Sequence, residues 1–277
     1  MVKNSRLTVG ARWRWDGTLG FFLGLNLLVV VAPAAAQAIK TDGRTATSVS
    51  TNGAVTDVRT GTLAGGNAFN SFQAFNVLAA TTTNLHVPSG SANLINIVRD
   101  ERTNIDGVLN SIKDGRIGGK VWFANPHGFI VGAGGTVNVG TLNVSTPTQQ
   151  FVDNFFLSPG NPDAGAVSSL LGGTAPRNAN GAISIQGKVN AIDGVTLSAG
   201  TVNVGGVVFA GARFVGTAPS FTDVVNANGM ASASNVIAEG GRIRIVADGD
   251  INSALELFIK GVQDHRHPMR ETDPPVV

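Results

Sequence analysis

The chain has 277 residues, 43% of them apolar and 14% charged, with 36 Gly, 14 Phe, no Tyr and no Cys. The absence of Cys excludes a disulfide scaffold, a thiolate metal site and a cysteine nucleophile, and the scarcity of charge beside abundant Gly, Val, Asn and Thr argues for strands over helices. The formal charge of +2 includes a basic amino-terminal segment; without it, 16 basic residues face 17 acidic ones, which gives no ground for nucleic-acid binding.

In residues 1–36, Lys3, Arg6, Arg12 and Arg14 precede an apolar run at 21–32 and the small residues Ala34, Ala35 and Ala36. This is the layout of a secretory signal peptide read by the general secretion machinery, with cleavage expected after Ala36 or, by the triplet Ala36-Gln37-Ala38, after Ala38. The run contains Asn26 and falls short of the roughly 20 residues that a membrane-spanning helix requires.

From Ile39 onward, helix is expected only at 104–113 (NIDGVLNSIK) and within 149–171; the rest reads as strand and turn. Turn signals are dense, among them Asn52-Gly53, Asp106-Gly107, Asp114-Gly115, Asn180-Gly181 and Asp193-Gly194, pairs that tolerate the positive φ of tight reversals. In 118–147 apolar residues alternate between such breaks, so each strand is too short to bury a core without neighbours. Thr136–Gly140 (TVNVG) recurs as Thr201–Gly205, 65 positions on, and Ile183-Ser184-Ile185 is echoed by Ile243-Arg244-Ile245, 60 positions on. Both offsets lie near three times about 20 residues, the lower end of the solenoid range.

A coil of that length holds three short strands and three turns. The expected fold is therefore all-β, a single-stranded right-handed parallel β-helix of the pectin-lyase-like solenoid type, with an amino-terminal cap and an extra-helical insertion. Val137, Val139, Leu142 and Val144 are expected to face inward, with Asn138, Thr141 and Asn143 outward or at corners; an inward Asn would instead stack in a ladder of amides. An antiparallel sandwich joined by Asx-Gly hairpins is the competing architecture. The β-helix domain is expected over 39–257, with an excursion at about 148–180, and 264–277 (DHRHPMRETDPPVV) as a disordered tail or the aberrant end of a longer protein.

The segment 67–77, NAFNSFQAFNV, places Phe69, Phe72 and Phe75 three apart and ends in Asn76-Val77. With Leu94-Ile95, Ile105-Asp106-Gly107-Val108-Leu109 and Asn125-Pro126-His127-Gly128-Phe129, followed by the strand containing Asn138, the order resembles the amino-terminal secretion domain of filamentous haemagglutinin-type adhesins exported by two-partner secretion. The run GGKVWFANP also resembles the leukotoxin-like filamentous adhesin subgroup. Where the family turn reads Asn-Pro-Asn-Gly, this chain has His127, and a second Asn-Pro-Asn-Leu motif is missing.

The resemblance implies a secreted adhesin or haemagglutinin-type exoprotein of a Gram-negative bacterium, passing through the periplasm to the cell surface or medium. Its expected partner is an outer-membrane β-barrel transporter whose periplasmic domains bind this region; a host or bacterial cell-surface ligand would follow. Phe69, Phe72, Phe75, Asn76, Asn125, Pro126, His127, Gly128 and Asn138 are the positions implied for the secretion motifs. The alternatives are the amino-terminal part of a larger contact-dependent toxin or adhesin, and a β-helical polysaccharide lyase or hydrolase.

The enzyme alternative requires converging carboxylates and cations. Asp106, Asp114 and Arg116, with Asp100 and Glu101 nearby, are the densest group, and solvated turns with charges at loop tips explain them better than an active site does. His86 and His127 lack metal-ligand spacing, and no Gly-x-Ser-x-Gly elbow accompanies them. Gly132-Ala133-Gly134-Gly135 precedes no helix, so the logic of a phosphate-binding loop fails. No cofactor, metal or catalytic activity is expected.

Overall fold

The computed structural model describes residues 38–211, and beyond them the backbone of the short strands Arg213–Phe214, Val224–Val225, Val236–Ala238, Arg242–Ala247, Ile251–Ser253 and Phe258–Ile259. The signal segment with Ala36, the tail at 264–277 and its His265 and His267 lie outside the described residues.

The chain opens with β1 (Ile39–Thr41), which pairs antiparallel with later residues, and with the hairpin β2 (Thr47–Asn52) and β3 (Val55–Thr60). After β4 (Leu63–Ala64), β5 (Asn67–Val77) starts a parallel stack whose first coil is completed by β6 (Thr82–His86). The second coil is β7 (Asn93–Val98), β8 (Thr103–Ile105) and β9 (Val108–Lys113), from which β10 (Arg116–Ile117) folds back as an antiparallel flap. The third is β11 (Lys120–Ala124), β12 (Phe129–Val131) and the first half of β13 (Thr136–Ser145).

The chain then leaves the stack through α1 (Gln149–Asp153), the small hairpin β14 (Phe156–Ser158) and β15 (Asn161–Pro162), and α2 (Ala164–Leu171). It returns as β16 (Ala182–Ile185), β17 (Lys188–Ala199), β18 (Thr201–Val204) and β19 (Val207–Ala210). A bridge between Pro147 and Arg177 closes the neck of the excursion.

Three parallel stacks result, which makes the molecule an all-β parallel solenoid. The first stack runs through the start of β5, β7, β11, the end of β13, the end of β17 and Arg242–Ala247. The second runs through the end of β5, β8, β12, β16, β18 and Ile251–Ser253. The third runs through β3, β6, β9, the start of β13, the start of β17 and β19. Alternation of period two sends Ala68, Leu94, Val121, Leu142 and Val195 of the first stack into one continuous core, where they meet Val77, Ile105, Val131 and Ile185 of the second and Leu85, Leu109, Val137 and Val189 of the third. Ile39 and Val58 close the core at its amino-terminal end.

Two expectations fail here. Residues 104–113 are not helical: they form β8 and β9, because Ile105 and Leu109 each find a strand neighbour one coil away that local spacing does not reveal. The two echoes do not mark equivalent coil positions either. Thr136–Val139 lies in the third stack, beside Lys188–Ala191, whereas Thr201–Val204 lies in the second, beside Ala182–Ile185. The repeat length appears in cross-coil amide contacts, where partners are 26 or 28 residues apart and 52 across the excursion.

Candidate functional site

The residues singled out in the sequence fall into a turn, an amide ladder and two separate aromatic groups. The turn is 125–128, at the corner between β11 and β12. Asn125 Oδ1 accepts from the His127 amide at 2.8 Å and the Asn125 carbonyl accepts from the Gly128 amide at 3.2 Å, while Pro126 restricts the intervening φ. Gly128 has φ 105, and a Cβ there would stand 2.5 Å from the Ala182 carbonyl oxygen, so the close approach of the next coil requires glycine.

The same turn joins three layers. Asn125 Nδ2 donates to the Glu101 carbonyl at 2.9 Å and to Thr103 Oγ1 at 3.0 Å, and the Pro126 carbonyl accepts from Asn178 Nδ2 at 2.9 Å. Asn125, Pro126 and Gly128 are buried, whereas the exposed His127 ring stands with Nε2 2.9 Å from the Arg99 carbonyl. His127 therefore occupies the one exposed position of the turn, and its side chain makes none of the turn's internal bonds.

Asn138 is 1% exposed, not outward-facing as its neighbours' pattern suggested, and it belongs to a buried ladder. Asn190 Nδ2 donates to Asn138 Oδ1 at 3.0 Å, Asn138 to Asn110 at 2.9 Å, Asn110 to Asn84 at 3.1 Å, and Asn84 to the carboxylate of Asp57 at 3.1 Å. Every amide donates toward the amino-terminal cap, so the aligned dipoles end positive at Asp57 and are met there by its negative charge. His86 Nε2 lies 2.7 Å from the same carboxylate oxygen. Burial works to raise the Asp57 pKa, but the hydrogen bonds from His86 and Asn84 and the nearby charges of His86 and Arg59 outweigh it, so the group titrates below its ordinary value.

A second ladder runs the other way, from Thr47 to Asn70, Asn70 to Asn96 and Asn96 to the Trp122 carbonyl. Asn76, at the end of β5, accepts from both the amide and the side chain of Asn104. Its own amide donates to the Ala38 carbonyl at 2.8 Å, which places Ala38 inside the described fold. Asn84, Asn110 and Asn190 were not singled out in the sequence, although their spacing to Asn138 is the signal that finds them.

The three phenylalanines face two ways. Phe72 and Phe75 point into the core and begin a file of rings, Phe72–Phe75–Phe123–Phe129, with successive centroids 5.1, 5.2 and 5.2 Å apart. Phe69 points outward on the first stack and is buried by the excursion, 6.3 Å from Phe155 and 6.2 Å from Phe156. Three positions along a strand reverse the facing between Phe69 and Phe72, and the bulge between Lys40 and Thr41, opposite Ala74 and Phe72, keeps Phe75 on the same side as Phe72.

Of the charged candidates, Glu101 and Asp106 line one cleft with Lys40 and Asn104, while Asp106 and Asp114 stay apart. Asp106 precedes β9 and Asp114 follows it, and a six-residue strand separates them by roughly 20 Å at about 3.3 Å per residue. Among the described residues no group of three His, Asp or Glu is placed to hold a metal. In the 132–135 turn, a Cβ on Gly135 would collide with the Ile105 carbonyl, so these glycines serve coil stacking. The densest charged contact is instead Arg99, whose Nη2 is 2.9 Å from Asp153 Oδ1 and whose Nη1 is 3.6 Å from Asp42 Oδ2. Burial acts to raise the Asp153 pKa and is outweighed by the hydrogen bonds from Arg99 and Gln149 and the charges of Arg99 and Arg44, which leave it below the ordinary carboxylate range.

A mixed cleft of about 230 Å³ lies where the excursion meets the first stack, lined by Trp122, Asn143, Ser145, Leu171, Thr196 and Ser198 among others. A family model described as the TPS secretion domain matches residues 36–266. Comparison with curated proteins found no match.

Proposed function

Because this chain belongs to the TPS secretion domain family, a two-partner secreted exoprotein exported across the outer membrane of a Gram-negative bacterium and recognised by its partner transporter, we propose that it acts as a non-enzymatic adhesin of the haemagglutinin type. The observation that carries the reading is the extent of the family match, which takes in the whole described solenoid. In this reading, the general secretion machinery delivers the chain to the periplasm after cleavage near Ala36, and the partner's periplasmic domains take it as an extended chain by strand addition. Folding outside then proceeds coil upon coil, and the finished surface meets a host or bacterial cell-surface ligand. The leukotoxin-like subgroup rests on the run GGKVWFANP, which here forms the close corner at 118–119, β11 and the 125–128 turn.

The separation of Asp106 from Asp114 takes that pair out of the reach of one bond that general acid–base chemistry would require. The test is export of the whole chain with and without its partner transporter. The expected result is appearance in the medium only with the partner, lowered when Asn125, Asn138 or Phe72 is changed; equal export without the partner overturns the reading.

A further inference from the structure

Two columns of side chains on the outer side of the first stack change character where the excursion ends. Register aligns Phe69, Ile95, Trp122, Asn143 and Thr196 in one, and Ile97, Ala124, Ser145 and Ser198 in the other. Phe69, Ile95 and Ile97 are fully buried against Phe155, Phe156 and Leu170 of the excursion. Trp122 stands half-buried at the margin, and the next positions carry amide and hydroxyl groups: Asn143, Thr196, Ser145 and Ser198. Alternation turns these four outward, since Leu142, Val144, Val195 and Leu197 take the inward places beside them. The end of α2, with Gly172 and Gly173, and the neck at Pro147 and Arg177 wall the resulting cleft of about 230 Å³.

Asn143 sets this cleft apart. It is 8% exposed and lines the cleft, and among the described residues it is the one buried asparagine whose side chain makes no hydrogen bond. An amide withdrawn from water without a partner destabilises a fold, so one kept in that state points to a partner that arrives from outside. Trp122 is fixed beside it: Nε1 donates to Asn93 Oδ1 at 3.0 Å, which occupies the indole's one donor and leaves the ring as an apolar platform.

We infer that this cleft binds one ring of a neutral saccharide, stacked on Trp122 and held through its hydroxyls by Asn143, Thr196, Ser145 and Ser198. A pyranose has an apolar C–H face and a rim of hydroxyls that both donate and accept. The indole face meets the first, and the Asn143 amide, a donor beside an acceptor, matches two neighbouring hydroxyls. Strands about 4.8 Å apart and alternate residues roughly 6.6 Å apart spread the four polar side chains over the area of one sugar ring. The cleft is smaller than the roughly 300–1,000 Å³ of a drug-sized site, so one ring enters and the rest of the glycan stays outside. A peptide finds no open strand edge here: the end of β13 is paired by β11 and β17, and the end of β17 by β13 and Arg242–Ala247. Among the described residues no Asp or Glu lines the cleft to attract a cationic ligand. The inference deepens the adhesin reading and rests on it for the source of the saccharide, a cell surface.

The experiment uses the whole refolded chain carrying Trp13→Phe and Trp15→Phe, which leaves Trp122 as the one tryptophan. Its emission is followed during titration with methyl glycosides of glucose, galactose, mannose and N-acetylglucosamine, and with sorbitol, which has the hydroxyls without the ring. At least one glycoside is expected to shift the emission saturably, and sorbitol is not. Asn143→Leu, which keeps the branching at Cγ, is expected to weaken that binding at least tenfold with an unchanged or raised urea midpoint, the opposite of a structural asparagine such as Asn138. Thr196→Val is expected to weaken it severalfold. No saturable shift with any glycoside, an equal shift with sorbitol, or wild-type binding by Asn143→Leu overturns the inference. A second arm measures binding of the same chain to cultured epithelial cells and to bacteria, where competition by the free glycoside and loss with Asn143→Leu are expected. Cell binding that neither change affects leaves the adhesin reading standing and overturns the cleft as its site. Glycoside binding without any cell binding keeps the cleft and overturns the adhesin reading.

Discussion

Asn138 both donates and accepts within the buried ladder, so its value lies in what its removal leaves behind. Asn138→Ala strands Asn110 Oδ1 and Asn190 Nδ2 without their partner. The expected loss is about 1–3 kcal/mol of folding stability, the cost of unsatisfied buried polar groups; urea unfolding checks it, and a loss within error of zero would show that the ladder is not cooperative. Asp57 supplies the pH dependence. Its folded pKa lies below the unfolded value of about 3.9, so its contribution is fully present above that pH and is lost as the pH falls through the folded value. Asp57→Asn should therefore flatten the stability curve below about pH 4 and leave its neutral limb unchanged in shape. Gly128 makes a backbone point: Gly128→Ala imposes both a positive φ and a contact with the Ala182 carbonyl, and is expected to lower the midpoint of unfolding where His127→Asn does not.

At the scale of elements, the excursion is the part with its own local logic. Thr148 Oγ1 accepts from the Phe151 amide and Asp163 Oδ1 from the Ala166 amide, each a side-chain cap on a helix of five and eight residues respectively. Helices so short do not persist alone, and their stability comes from Phe155, Phe156 and Leu170 packed on the solenoid. Asp163→Ala is expected to cost about 1 kcal/mol locally, read as faster hydrogen exchange in 164–171 with protection of β7 and β11 retained. Helix within 149–171 was legible as a segment, whereas the starts at Thr148 and Asp163 were found only in the structure. The same kind of reading failed for 104–113: Ile105, Leu109 and Ile112 satisfy a helical spacing, yet their partners are strands one coil away. The facing of Phe69, Phe72 and Phe75 was not legible either, since a spacing of three alternates faces in a strand and only the bulge opposite Phe72 and Ala74 returns Phe75 to the core.

At the scale of the whole molecule, almost every pairing joins a coil to its immediate neighbour, the arrangement in which stability is a sum of coils and interfaces. The ring file Phe72–Phe75–Phe123–Phe129 spans two such interfaces, from the first coil to the third. Phe123→Ala is expected to cost about 3–5 kcal/mol and to lower exchange protection in the coils on both sides together, whereas loss confined to β11 would argue against a continuous stack. Composition, period-two alternation and Asx-Gly punctuation were enough to indicate an all-β chain of short strands but left the parallel solenoid and the antiparallel sandwich both open, because they report what each residue needs locally: a buried face, an exposed face, a reversal. The order of the Phe-rich segment, the 105–109 strand and the Asn-Pro turn was enough to indicate the secretion family for the same reason, since motifs are local strings. Which coil lies beside which, the 26- and 28-residue spacing of the amide ladder, the outward turn of Phe69 and the closing of residues 149–171 over the first coils were decided only in three dimensions. Those features are contacts between residues tens of positions apart, and no local pattern carries the identity of a partner that stacking alone selects.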